Sequence, residues 1–200
     1  MKRVVITGAG TVNALALDVA GTLDAFREGR CGITALAFRD TDRLSIGIGG
    51  QVHGWDPEAY FNRQQIVLYD RFTQFAMIAA RQAVAQAGID FAGLLGLEAG
   101  VVLGTAGGGV NTWDENYRAV YEEGKNRVHP FVIPKLMNNA AASHLSMEYG
   151  LHGPTFTVAT ACASSNHAMG LAFQMVRSGA TRAMLTGGSE AMLCFGGIKA

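Results

Sequence analysis

Charge is scarce in these 200 residues. Asp, Glu, Lys and Arg together make up 16% of the chain and cancel to a net charge of zero, where a soluble domain ordinarily carries about 25%. The balance argues against broad electrostatic binding to nucleic acid or to an anionic membrane. The low total suggests that much of the surface faces other protein rather than water. Long apolar runs are lacking as well. No stretch of about eighteen apolar residues occurs, so no membrane span is expected. The opening "MKRVVITGAG" has two basic residues, but its apolar run breaks at Gly8 without a convincing cleavage site, which reads against a signal peptide. Cysteine is limited to Cys31, Cys162 and Cys194. Three is odd and the spacings are wide, so neither a disulfide framework nor a CxxC zinc site is suggested. A reducing, cytoplasmic location fits best. His53, His129, His144 and His152 are scattered without metal-ligand spacing, and no metal is expected.

Glycine, by contrast, is abundant at 26 residues, much of it directly after apolar runs. The strand–glycine pattern recurs as "VVITGAG", "VVLGTAG" and "AMLTGG". "RVVITGAGTV" (3–12) reads as a buried strand and turn. A helix over 16–30 would place Val19, Leu23 and Phe26 on one face. Residues 32–66 are irregular and read as an insertion with short strands. "YDRFTQFAMIAARQAVAQAG" (69–88) carries the clearest helical period, with Asp70 as cap and Gly88 as stop. Its many alanines would let it lie very close to another element. A strand over 99–109, a helix over 110–122 and a helix over 136–150 follow. The prolines at 130 and 134 predict that His129 and Ile133 are not helical. The rest reads as a strand (153–161), a helix (164–179) and a strand with a glycine turn (180–191). Alternating strands and helices predict an α/β fold. Its sheet would be mixed but mostly parallel, covered by helices on both faces. No linker divides the chain, so 1–200 is read as one unit.

Cys162 falls at the corner between the strand ending near Ala161 and the helix starting near Ser164. Unpaired N–H groups converge at a helix N-terminus, and the helix dipole favours an anion there. Both effects favour thiolate, the nucleophilic form. The same N–H groups could hold an oxyanion forming on an acyl substrate. Placement alone leaves a second reading open, in which Cys162 is a small buried hydrophobe.

The surrounding residues are more specific. "GPTFTVATACASSNHAMGLAFQMVRSGATRAMLTGGSEA" resembles the active-site region of the β-ketoacyl-[acyl-carrier-protein] synthases, the condensing enzymes of fatty acid and polyketide synthesis. "RVVITGAG" resembles that family's first strand, "YDRFTQFAMIAARQAVAQAG" its "DRF" helix and "VVLGTAGGG" its glycine turn. "HPFVIPKLMNNAAASHLSMEYGLHGP" resembles the segment leading to the nucleophile. The resemblance runs the length of the chain and implies the N-terminal half of a thiolase-like fold. It implies that Cys162 takes an acyl group from a carrier protein as a thioester, with its own N–H forming half of an oxyanion hole. A malonyl carrier then loses carbon dioxide and attacks that thioester. A decoy subfamily carries glutamine at this position, and the cysteine here argues against it. The family's decarboxylating histidines and lysine belong to a second half absent from this sequence. By itself this half is expected to hold the nucleophile without the condensation activity.

Further roles follow from the resemblance alone. Gly107 matches a position often bulky at the acyl pocket, and glycine there would leave room for a longer chain; a plain turn glycine is the other reading. Val132 and Ile133 match the segment that reaches the neighbouring subunit's acyl tunnel, and Phe195 and Ile198 match another pocket wall. Glu190 either holds a buried network near the site or caps a loop. His167 is expected to support the helix as a packed core histidine rather than to act on substrate. No cofactor is expected, the acyl groups arriving on the phosphopantetheine of an acyl carrier protein. The partners implied are that carrier and a second subunit, identical or related, paired along the strand at 153–160. Arg63, Arg71, Lys125, Arg127 and Lys135 are candidates for an acidic carrier's patch, with scattered solvated charges as the alternative. Cys31 and Cys194 are expected to fill space. Two other functions are open on the sequence. A nucleotide-binding domain is suggested by Gly8 and Gly10, but Asn13 breaks the glycine pattern and no Walker lysine exists. A non-catalytic dimerising fragment would differ by failing to acylate.

Overall fold

A computed structural model describes residues 2–200. The first feature departs from expectation. Residues 3–12 form no ladder with any described strand, and Val5 and Ile6 are 63% and 92% exposed. A β-branched run is stabilised by neighbours on both sides, and none lies beside this one. The segment instead lies against a helix. A Cβ on Gly8 would stand 1.9 Å from the Ala83 carbonyl oxygen, and one on Gly10 would stand 1.8 Å from that of Ala79. These glycines permit backbone contact with a helix rather than opening a phosphate-binding turn, which removes the basis of the nucleotide-binding reading. The Gln86 and Gln82 side chains accept from Ala9 N and Thr11 N at 2.7 and 3.1 Å.

Helix α1 spans Val19–Arg27, capped by Asp18. Its expected apolar face is not the buried one: Leu23 and Phe26 are exposed, whereas Thr22 and Ala25 are buried. Two short strands, β1 (Thr34–Ala35) and β2 (Ile48–Gly49), pair antiparallel. Single 3-10 turns lie at Thr41–Arg43 and Pro57–Ala59. Helix α2 (Arg63–Leu68) opens with a reciprocal capping box between Asn62 and Gln65.

Helix α3 (Arg71–Ala87) has Asp70 as N-cap and Gly88 in the left-handed conformation at its end. Its first two turns, from Phe72 to Ile78, are buried. The short α4 (Leu94–Glu98) leads into β3 (Ala99–Gly104), which is buried throughout. Helix α5 (Val110–Tyr121) follows a glycine turn. The Asp70 carboxylate accepts from Phe72 N at 3.2 Å, Thr112 N at 2.9 Å and Thr112 Oγ1 at 2.6 Å. That one buried group therefore satisfies donors at the starts of both α3 and α5.

Helix α6 (Val132–Leu136) includes Ile133, against the expectation that the residue before Pro134 is not helical. Pro134 falls in the first turn, where its missing N–H would have had no intrahelical acceptor, so the helix tolerates it. Helix α7 (Ala140–Tyr149) ends at left-handed Gly150. Strand β4 (Thr155–Val158), helix α8 (Ser164–Ser178), strand β5 (Ala183–Gly188) and helix α9 (Phe195–Lys199) complete the order.

Three strands form a parallel sheet in the order β4-β3-β5, with Val101 opposite Thr155 on one side and Leu185 on the other. Alternation along β3 sends Ala99, Val101 and Leu103 into the core built with α3 and α7. Val102 and Gly104 are left for the opposite face, where α8 packs through buried Ala168 and Ala172. Among the described residues no helix is long and apolar enough to cross a membrane.

Candidate active site

The corner after β4 is built from backbone hydrogen bonds and one side chain. Ala161 adopts φ 50°, in the left-handed region. A residue with a Cβ enters that region at a cost of order 1–3 kcal/mol, and such strain clusters at functional sites. The turn is closed by Ala163 N to Thr160 O and Ser164 N to Ala161 O, both 3.1 Å. Ser164, 3% exposed, sits inside it. Its hydroxyl donates to Ala161 O at 2.6 Å and accepts from Thr160 N at 2.8 Å.

Two glycines seat this corner on the sheet. A Cβ on Gly104 would stand 2.2 Å from the Ser164 carbonyl carbon, and one on Gly188 would stand 2.6 Å from Ser165 Cβ. The ends of β3 and β5 therefore press directly on the first turn of α8. Cys162 emerges here as an exposed thiol. Its N–H donates to no acceptor among the described residues. The N-cap of α8 is Ala163, which offers no side-chain acceptor. The helix mouth thus keeps its partial positive charge unneutralised by a cap, two residues from the thiol.

Glu190, just beyond β5, accepts from Ala106 N at 2.6 Å and Thr105 Oγ1 at 3.2 Å, and Thr105 Oγ1 in turn accepts from Gly108 N at 3.1 Å. Its contact is with the glycine turn after β3. Gly107 in that turn is half-buried; a Cβ there would meet Val110 Cγ2 at 2.8 Å and Met192 Cε at 3.3 Å. The Met192 thioether thus already borders the space that glycine leaves. His167 is exposed on α8 rather than packed in the core, because the buried line of that helix runs through Ala168 and Ala172.

The remaining candidates are dispersed. Val132 is half-buried, while Ile133 is 57% exposed. The Phe195 ring lies beneath the guanidinium groups of Arg43 and Arg118, at 4.7 and 5.5 Å. Ile198 is half-buried in α9, its N–H bonded to Cys194 O. A cavity of about 510 Å³ opens between the 37–57 region, α3 and α5. Of the predicted pocket residues only Phe195 lines it; Cys162, Gly107, Val132, Ile133 and Ile198 do not. Arg71, Lys125 and Lys135 of the basic set also line it, whereas Arg63 and Arg127 do not. Cys31 is exposed, contrary to the space-filling expectation, and Cys194 is buried, with burial pushing its thiol pKa up. Among the described residues no cluster of three metal-ligating groups occurs. Sequence reasoning missed Ser164, Gly104 and Gly188. Their signal was small residues at both strand ends and two positions after the cysteine, which is legible only once the elements are known to touch.

The family model for the β-ketoacyl synthase N-terminal domain matches residues 1–200. This chain belongs to the β-ketoacyl synthase family. Its relatives include nodulation protein E of Rhizobium sp. (strain N33), 38% identical over 199 residues. Another is 3-oxoacyl-[acyl-carrier-protein] synthase 2 of Staphylococcus aureus (strain N315), 35% identical over 190 residues. The alignments take in 100% and 95% of this chain but 49% and 46% of those proteins. The chain therefore spans about half the length of the curated relatives it matches. Among solved structures, a β-ketoacyl synthase from Burkholderia phymatum aligns at TM-score 0.76 and 28% identity, over 90% of this chain and 45% of that one. The ishigamide ketosynthase/chain length factor aligns at TM-score 0.87 and 24% identity, over 98% and 49%; at that identity the match speaks for the fold. The thiolase-like α/β architecture expected from the sequence is the one found.

Proposed function

We propose that this chain supplies the nucleophile-bearing half of a 3-oxoacyl-[acyl-carrier-protein] synthase of fatty acid or polyketide synthesis. The observation that carries the reading is the strained corner at Ala161, which presents an exposed Cys162 with an unengaged N–H at the mouth of α8. The Cys162 thiolate attacks the carbonyl carbon of an acyl thioester, and the tetrahedral oxyanion is held by the Cys162 N–H. Collapse expels the carrier's sulfur as thiolate, leaving the acyl group on Sγ. A malonyl carrier then loses carbon dioxide, its carbanion attacks the enzyme thioester, and Cys162 departs as thiolate. The decarboxylating groups are assigned to no residue of this chain.

No cofactor is required; acyl groups arrive on the phosphopantetheine of an acyl carrier protein. Strand β4 has a ladder partner on one side only among the described strands, which supports a second subunit, identical or related, pairing there. The exposure of Ile133 fits a reach towards that subunit's tunnel. Mass spectrometry of the intact protein after exposure to an acyl-carrier or acyl-CoA donor tests the reading. A label on Cys162, abolished by Cys162→Ala, is the expected result. Equal labelling of Cys31 or Cys194 overturns it.

A further inference from the structure

We propose that Ser164 is a positioning residue for the Cys162 thiol, its hydroxyl holding Ala161 in the left-handed conformation that turns Cys162 out of the line of β4. The inference rests on the reading of Cys162 as nucleophile. It goes further by assigning the reactivity of that thiol to a side chain hydrogen-bonded to Thr160 and Ala161 and not to the thiol.

The geometry is specific. A buried hydroxyl bridges the amide of Thr160 and the carbonyl of Ala161, the two groups flanking the unfavourable torsion. An extended Ala161 would carry its carbonyl away from Ser164 Oγ and break that bond. The Ser164 hydroxyl, on a residue only 3% exposed, would then be left without its acceptor, and a buried polar group without a partner is costly. Ser164 cannot retreat either, because its carbonyl abuts Gly104. The hydroxyl thus fixes the torsion from the helix side, while the sheet fixes the hydroxyl. Alanine at 161 carries a Cβ and so gains from such a clamp. Glycine would adopt the same torsion unaided, so its need for the hydroxyl would be smaller.

The test uses the exposed Cys31 as an internal reference thiol. Both cysteines of the intact protein are alkylated with iodoacetamide at neutral pH, and the two rates are read by peptide mass spectrometry. Circular dichroism reports folding in parallel. Wild type should alkylate Cys162 faster than Cys31 at neutral pH; if it does not, the nucleophile reading itself fails, independently of any variant. In Ser164→Ala the ratio of the two rates should fall about tenfold, as expected for release of a strained torsion. Adding Ala161→Gly should restore most of the ratio, because glycine needs no clamp. A Ser164→Ala chain that folds only together with Ala161→Gly also supports the proposal. A folded Ser164→Ala protein with an unchanged ratio overturns it. So does a double variant no better than the single one, since Ser164 would then act otherwise than through residue 161.

Discussion

Gly104→Ala should damage the corner more than its one carbon suggests. The added Cβ would stand 2.2 Å from the Ser164 carbonyl carbon and 2.4 Å from both the Ser164 oxygen and Ser165 nitrogen. Carbon atoms settle at about 3.5–4.0 Å, so the start of α8 must retreat by more than roughly 1 Å. Nothing there yields cheaply, because all three obstructing atoms are backbone, and Gly188 closes the same turn from β5. Overpacking of this kind costs about 1–3 kcal/mol. With a urea dependence of about 1–3 kcal/mol per molar, the unfolding midpoint should drop by roughly 1 M. Misplacement of a reacting group by about 1 Å can cost on the order of a hundredfold in rate, so acyl transfer to Cys162 should fall further than stability does. Gly170→Ala, on the same helix with nothing near its ideal Cβ, is the control and should stabilise by about 0.5–1 kcal/mol. Urea titration and timed acylation read both effects. If Gly104→Ala keeps the wild-type midpoint and acylates at the wild-type rate, the claim that β3 seats the nucleophile is refuted.

Two further outcomes are expected. His144 is partly buried against Tyr69, ring centroids 4.5 Å apart, and burial lowers its pKa. The unfolded chain, titrating near 6.5, then binds protons more readily than the folded one. His144 should therefore cost nothing above that pH and subtract stability as pH falls below it. Urea unfolding from pH 7.5 to 5 should show the decline, and His144→Phe should flatten it; an equally steep decline in the variant would contradict the assignment. Gly107→Phe must displace Met192 and Val110, and on the proposed function should move kcat/KM towards shorter acyl donors by about tenfold or more. Unchanged chain-length preference would show that the space beside Gly107 is not the acyl pocket.

Where local chemistry decides structure, the sequence was readable. Asp70 and Gly88 bound α3 as their capping chemistry requires, and the alanine rows of that helix receive Gly8 and Gly10 at backbone distance. Cys162 does lie just ahead of α8. What depends on partners was not readable. "RVVITG" has a strand's composition, yet no described strand lies beside it. The Leu23–Phe26 stripe looks like a buried face but faces solvent. The helical Ile133 shows that a proline rule for helix interiors weakens in a first turn. The corner itself was located but not explained, because the torsion of Ala161 and the clamp by Ser164 arise from contacts between three elements. Their spacing along the chain gives no sign of them.

The shared anchor at Asp70 has a mechanical consequence. One carboxylate serves two helix mouths through its two oxygens, so swinging or unwinding α5 at its start would leave a buried Asp70 oxygen without its donors. Flexing the 105–109 loop at its α5 end therefore costs those two bonds. The flexible Met192 side chain beside Gly107 can shift at less expense than that backbone.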